Sequence, residues 1–389
     1  MTDLADPDLY ADGDPHAVWR RLRAEQPLFW NEQEGRPGFW AVTKYDDAMR
    51  IYKDPATFSS ARGILLGTAQ GRGDPAGGKM LALTDPPRHG QLRALVNRWF
   101  TPGAVSQLEE AMRRIARRLV DAAVARGDCD FVRDVAGPLP VHVICWLLGV
   151  PRADRDMLYE LTSRAFGVED RAGQSAAHQN ILLYFMELAE QRRLAPADDL
   201  VSVLVEATVE GKPLTDTEVL LTCDNLLVGG IENVRHAAAG GILALLDHPG
   251  ELRRLRADPS LVPSAIEEIL RWTSPATHIV RTVRREVQLR GRTIDPGSLV
   301  TIWNPSANRD EDVFPDADRF DVGRTPNRHL AMGVGEHFCI GAGVARQELR
   351  VLVEELLAGT AAIELAGAPV RLRSCEINGF ERLPVKLVA

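Results

Sequence analysis

The feature that most constrains this chain is a single long apolar helix signal in its second half. Thr215-x-x-Glu218 has the residues of a capping box, preceded by Leu214 as a staple residue. In that motif a threonine hydroxyl and a glutamate carboxylate each accept one of the free backbone N–H groups at a helix start. Apolar residues then continue from Val219 through Leu246. A helix of roughly 30 residues at 1.5 Å per residue is about 45 Å long, which crosses a whole domain. Its middle reads LLVGGIENVRHAAAGG, placing Glu232 and Asn233 in an apolar stretch beside Gly229 and Gly230. Each glycine inside a helix costs roughly 1 kcal/mol relative to alanine, so something must require both. One reading is a tight helix crossing with a solvated acid. The reading we favour is close approach of Gly229 to a flat cofactor, with local distortion of the helix ladder.

The rest of the chain is mostly helical with minor β. Pro15–Glu25 predicts a first helix with proline near its start, and residues 27–43 alternate around a Gly-Arg-Pro-Gly turn as a β-hairpin does. Residues 61–78 are glycine-rich, carry Ile64, Leu65 and Leu66 without period, and read as a mobile functional loop. Amphipathic helices are expected at 88–99, 103–126, 138–148 and 172–193. Such an order is neither a regular α/β alternation nor a simple bundle. At 389 residues two domains would be the default, yet no linker, repeat or charge block divides the chain, so a single domain over 1–389 is expected. A net charge of −8 argues against a nucleic-acid partner. The five cysteines (129, 145, 223, 339 and 375) lack CxxC spacing and suggest a reducing compartment. The acidic start MTDLADPDLYADGDP resembles neither a signal peptide nor an anchor, and no apolar run approaches the roughly 20 residues that span a bilayer. A soluble cytoplasmic protein is expected.

Chemistry concentrates in HLAMGVGEHFCIGAGVAR, residues 329–346. Gly333, Gly335, Gly341 and Gly343 flank Cys339, His337 lies two residues before it, and a helical run begins at Ala342. A thiolate in such a loop accepts backbone N–H bonds that stabilise the anion. It is also the ligand with which haem iron pushes electron density toward O–O cleavage. A lone cysteine among glycines is more often structural, but the full spacing Gly-x-Gly-x-His-x-Cys-x-Gly is present. A second constellation is Glu268 and Arg271 in AIEEILRW, three apart on one helix face. Arg319, within NPSANRDEDVFPDADRFDVGR, is expected to bridge the same carboxylate and hold that segment as an ordered coil.

In this order the pieces resemble the soluble bacterial members of the cytochrome P-450 family over nearly the whole chain. The resemblance implies a mostly α fold with small β-sheets and a long central helix over haem b (iron protoporphyrin IX), with Cys339 as the axial ligand. It also implies that His89 and Arg93 in TDPPRHGQLRALVNRWFTP, Arg281 in RWTSPATHIVRTV, and His337 bind the haem propionates. A buried dianionic edge needs such cationic, hydrogen-bonding partners. Glu268, Arg271 and Arg319 match the family's structural ion-pair network, and Gly379-Phe380 its C-terminal turn into the pocket. Pocket contacts are expected from Ile64, Leu65, Val228, Gly229, Thr277, His278, Ile279 and Phe380, with His278 either a satisfied core residue or a recognition group.

Two departures matter. Met332 replaces the usual phenylalanine of the haem loop, and the long helix reads Gly-Gly-Ile-Glu-Asn where the family has an acid followed by threonine. Glu232 keeps the acid. Asn233 replaces an alcohol that orders water for proton delivery, and an amide is a poor proton relay. So Asn233 orders a relay water, or the substrate's hydroxyl completes the chain, or the reaction is not ordinary hydroxylation.

The resemblance implies a haem-thiolate monooxygenase taking O₂, two electrons and a small organic substrate. No GxGxxG follows a predicted strand, so electrons are expected from a ferredoxin and its ferredoxin reductase. Arg88, Arg98, Arg113 and Arg114 form either their docking patch or a solvated helix face. A monomer without nucleic-acid or membrane partners is expected. Abundant arginine and alanine suggest a GC-rich bacterial genome, and family analogy then points to natural-product tailoring. The alternatives are a non-hydroxylating oxidation such as coupling or desaturation, a non-catalytic haem sensor, or a cysteine hydrolase pairing Cys339 with His337.

Overall fold

A computed structural model describes residues 2–165 and 171–389. In chain order its main elements are α1 (Pro15–Glu25), β1 (Leu28–Asn31), β2 (Phe39–Val42), β3 (Phe58–Ser59), α2 (Arg88–Val96), α3 (Pro102–Arg126), α4 (Pro138–Leu147), α5 (Arg155–Ala165) and α6 (Arg171–Leu194). They continue with α7 (Asp216–Asp247), α8 (Val262–Thr273), β4 (His278–Val283), β5 (Leu299–Trp303) and α9 (Ala342–Gly359). Helices therefore dominate, with small sheets.

Local chemistry starts these helices where the sequence signals lie. Asp14 accepts the Ala17 N–H at the head of α1, and Thr101 accepts that of Ala104 at the head of α3. At α7 both halves of the capping box form, Thr215 to the Glu218 N–H and Glu218 back to the Thr215 N–H. Since capping contributes only about 1 kcal/mol, burial must hold so long a helix. Leu227, Ile231 and Ala239 of α7 are fully buried, in one apolar cluster with Met112, Leu147, Ile269 and Leu352 from α3, α4, α8 and α9.

The adjacent glycines Gly229 and Gly230 of α7 have different roles. A Cβ on Gly230 would lie 2.9 Å from Ile144 of α4, so that position must be bare for the helices to cross. A Cβ on Gly229 would meet nothing within 4 Å.

The largest sheet runs β1-β2-β5-β4-β3, with β1 antiparallel and β5 parallel to β2. It anchors the glycine-rich segment 61–78, which is less free than its composition suggests. Ile64 accepts the Val280 N–H at 2.8 Å, Leu66 donates to His278 Nε2 at 3.3 Å, and Leu66–Ala69 forms a helical turn.

The proline- and aspartate-rich coil after β5 hangs from one buried ion pair. Arg271 donates to both Glu268 oxygens, at 2.7 and 2.8 Å, and to the carbonyls of Asn308, Ala317 and Arg319. The second guanidinium on Glu268 belongs to Arg324, at 3.1 Å, and not to Arg319. The coil turns at Asp316 (φ +48°), which aims the Arg319 carbonyl inward and returns the chain so that Arg324 reaches the carboxylate. Among the described residues no helix is long and apolar enough to cross a membrane.

Candidate active site

One face of α7 forms a wall of a cavity of about 280 Å³. Asn225, Leu226, Gly229, Gly230, Asn233 and Val234 reach it at the three- and four-residue spacing of a single helix face. The Cys339 loop supplies another wall. Gly335 sits at φ +79°, where a Cβ would also lie 2.9 Å from the Tyr52 carbonyl, so glycine is required there. The Cys339 N–H donates to the Met332 carbonyl at 2.9 Å, and α9 starts just beyond. Cys339 is half-buried and lines the cavity. Burial pushes its thiol up, against the Gly341 amide and the Arg93 and Arg346 guanidinium groups, which pull it down.

The cavity edge carries cations without counter-anions. Arg281 is buried, lies over the Tyr52 ring at 5.9 Å and donates only to the neighbouring Val280 carbonyl. Burial pulls its pKa down, and so it does for Arg93. Among the described residues neither makes a salt bridge. Burial first, then the charges of Arg281, His89 and Arg93, drive the His337 imidazole down to about 2. The His89 and His337 rings lie 4.0 Å apart, with His89 between the carbonyls of Leu81 and Glu336, each at 3.0 Å. Guanidinium groups held in a dry wall are costly without an anion. A flat cofactor with carboxylates on one edge and a metal that takes a thiolate fits these residues, and the open space at Gly229 fits its face. The hydrolase arrangement is absent: His337 Nε2 contacts Ser60 Oγ at 3.3 Å and no hydrogen bond joins it to Cys339.

Glu232 and Asn233 diverge. Asn233 lines the cavity, whereas Glu232 is turned into α7's flank, 2% exposed, and bonded to Arg235. His236 Nδ1 accepts the Phe380 N–H at 3.3 Å, so the ring proton sits on Nε2, which points at Glu232 Oε2 from 3.4 Å. Burial pushes the Glu232 carboxyl up, but Arg235 and His236 outweigh it and hold it below the usual range. Arg235 in turn donates to Ser163 of α5 at 3.0 Å.

Of the expected pocket residues, Ile64, Gly229 and Ile279 line the cavity, and Leu65, Val228, Thr277, His278 and Phe380 do not. Val228 lies on the α7 flank of Glu232, four residues earlier. His278 is fully buried with both nitrogens engaged, by the Leu66 N–H and the Cys375 carbonyl, against the Trp303 ring. Phe380 packs toward α7 beyond the cavity, because the bare Gly240 and Gly379 let the C-terminal turn press against the helix and His236. Sequence reasoning missed Asn225, although four residues back from Gly229 is the same helix face. It also missed Glu348 on α9, a cavity-lining acid that burial holds well above its ordinary value.

The arginines read as a docking patch are largely neutralised. Arg88 pairs with Glu218, Arg114 with Glu110, and Arg113 with Glu109, Glu354 and Glu355. Of the four, Arg98 alone has no carboxylate partner among the described residues, and it lies over Trp99.

The model of the family described as cytochrome P450 matches residues 170–359. The chain is 39% identical to the putative cytochrome P450 126 of Mycobacterium tuberculosis, over 99% of this chain and 97% of that protein. It is 36% identical to cytochrome P450 NovI of Streptomyces niveus, over 99% and 96%. Among solved structures, P450 OxyD, involved in the biosynthesis of vancomycin-type antibiotics, superposes with a TM-score of 0.93 at 38% identity over 100% of both chains.

Proposed function

Since the chain belongs to the cytochrome P450 family and is a P450 monooxygenase, we propose that it oxidises a small organic substrate with O₂ and two electrons from a ferredoxin and its reductase, in bacterial natural-product tailoring. The observation that carries the reading is one cavity combining a loop-held thiol, Cys339, with uncompensated cations at its edge, Arg93 and Arg281. The family implies haem, and in this reading it is haem b. Bound there, haem supplies the thiolate-ligated iron at which O₂ is cleaved. Cys339 would supply its thiolate ligand, and Arg93, Arg281 and His337 would hold its propionates, with His89 bracing His337. Gly229 leaves room for the macrocycle, and the apolar residues of the wall exclude bulk water.

Asn233 holds a water by its amide at the cavity face of α7. Glu232, one residue away, is held as a carboxylate by Arg235 and His236, so it can take part in a relay only by accepting a proton and passing it on. The amide cannot itself pass a proton through, so delivery runs through that water or through a hydroxyl of the substrate. The replacement of an alcohol by Asn233 also favours a second reading, a non-hydroxylating oxidation in the same site. Similarity to OxyD, whose role lies in antibiotic biosynthesis, supports tailoring. The protein works as a cytoplasmic monomer of one domain.

The ferrous–CO spectrum tests the core of this reading. The wild type gives the strongly red-shifted Soret band of thiolate-ligated haem, and Cys339→Ala loses it. Retention of that band in the variant overturns the ligand assignment. Product formed with reductant, O₂ and a ferredoxin system separates the enzyme from a haem sensor.

A further inference from the structure

The cavity face of α7 is apolar or bare except at two places. Asn225 and Asn233 both line the cavity, one turn before and one turn after Gly229. Neither side chain hydrogen-bonds any other described residue. A helix wall facing an apolar cavity favours leucine or alanine at such positions, because an amide without a partner there is penalised. Asn233 has a use in the proton delivery described above. Asn225 has none among the described residues.

Its position restricts the group that satisfies it. Asn225 lies about 6 Å along the helix from Gly229 and about 12 Å from Asn233, at 1.5 Å per residue. A substrate whose reacting carbon sits near Asn233 therefore presents a different atom to Asn225. Basic side chains carried toward this part of α7 are already engaged. Arg88 of α2 is bonded to Glu218, and His178 of α6 lies 3.7 Å from Asp224. Asp224 is itself a buried acid next in sequence to Asn225. Among the described residues nothing there balances an anion, whereas the amide both donates and accepts.

We propose that Asn225 is a specificity-determining residue that selects substrates bearing a neutral hydrogen-bonding group, a carboxamide, ester carbonyl or hydroxyl, about 6–12 Å from the carbon to be oxidised. Free carboxylic acids are disfavoured at that point. A natural acid would therefore enter as its amide or ester conjugate. The inference rests on the haem-thiolate reading of the site.

The test uses 1-substituted imidazoles, which ligate haem iron through the ring and project a tether into the cavity. Tethers of graded length end in a carboxamide, a carboxylate or an isopropyl group, the last being the apolar isostere of the amide. Dissociation constants are read from the Soret shift of the holoenzyme. In the wild type one tether length binds as the amide about 2- to 10-fold tighter than as the isopropyl compound, the range of one net hydrogen bond. The carboxylate binds weakest. In Asn225→Leu that preference falls to one or reverses while the isopropyl compound binds at least as well, and in Asn233→Leu it survives. An amide preference equal in wild type and Asn225→Leu, no preference at any length, or tightest binding of the carboxylate overturns the inference and leaves the haem reading standing. A purified protein with no haem band or no imidazole shift overturns the haem reading itself.

Discussion

Glu232 and Asn233 are consecutive residues of α7 whose side chains serve different surroundings. The Asn233 amide opens into the cavity, while the Glu232 carboxylate is buried against Arg235 and His236. One step along a helix turns a side chain by about 100°, which is enough to put an acid behind the wall and an amide on it. The acid is thereby kept ionised without facing the substrate.

If Asn233 orders a proton-delivering water, Asn233→Ala lowers product per reductant by on the order of tenfold and releases peroxide, within the range typical of lost acid–base assistance. Asn233→Thr retains most of the coupling. If the substrate's hydroxyl completes the path, Asn233→Ala stays coupled and a deoxy analogue uncouples instead. Product and peroxide, each per NAD(P)H consumed, decide between them.

Gly229 and Gly230 of α7 respond differently to one methyl group. Gly230→Ala drives a Cβ to within 2.9 Å of Ile144 and costs about 1–3 kcal/mol in urea unfolding. Gly229→Ala points into open space and leaves unfolding unchanged or improved. Its effect is a lower haem-to-protein absorbance ratio, because the methyl group occupies the cofactor's face. Equal haem content in both variants contradicts the division of roles.

Removing one partner of the buried Glu268–Arg271 pair, by Glu268→Ala or Arg271→Ala, costs about 3–5 kcal/mol, since a charge is left unpaired in the core. Arg324→Ala is also destabilising, because its guanidinium reaches the same carboxylate. Arg319→Ala stays within about 0.5 kcal/mol, since only its carbonyl takes part. Denaturation midpoints of the four proteins give the ranking.

Burial lowers the His278 pKa from 6.5 to about 4, against the opposing pull of the Cys375 carbonyl. A base depressed in the folded state contributes stability that is complete above pH 6.5 and is lost as pH falls through about 4. Protonation also ends the bond accepted from the Leu66 N–H and frees the loop that carries Ile64. The stability gap between wild type and His278→Gln is therefore widest above pH 6.5 and closes toward pH 4. A gap independent of pH shows that the ring titrates like a free imidazole.

Much of this protein was legible in one dimension. The ends of α7 and its capping box follow from bonds within a few residues, and the structure places the helix at Asp216–Asp247. The loop of Cys339 likewise carries its chemistry in adjacent residues, so spacing alone located it. Local rules reach that far because caps, turns and positive φ angles are decided by near neighbours.

Which face of an element meets the cavity was settled only by packing. Val228 and Asn225 lie on one helix within three residues of each other, yet only the latter lines the pocket, because α4 and the Cys339 loop fix how α7 is rotated. Arg319 and Arg324 are both arginines of one coil, and the turn at Asp316 chose between a carbonyl and a guanidinium for each. Phe380 was kept out of the pocket by contacts with helix residues about 140 positions away in the chain, His236 and Gly240. Sequence dictates what each segment is able to offer, and long-range contacts decide which atom of it is presented, since those contacts depend on the packing of all the segments at once.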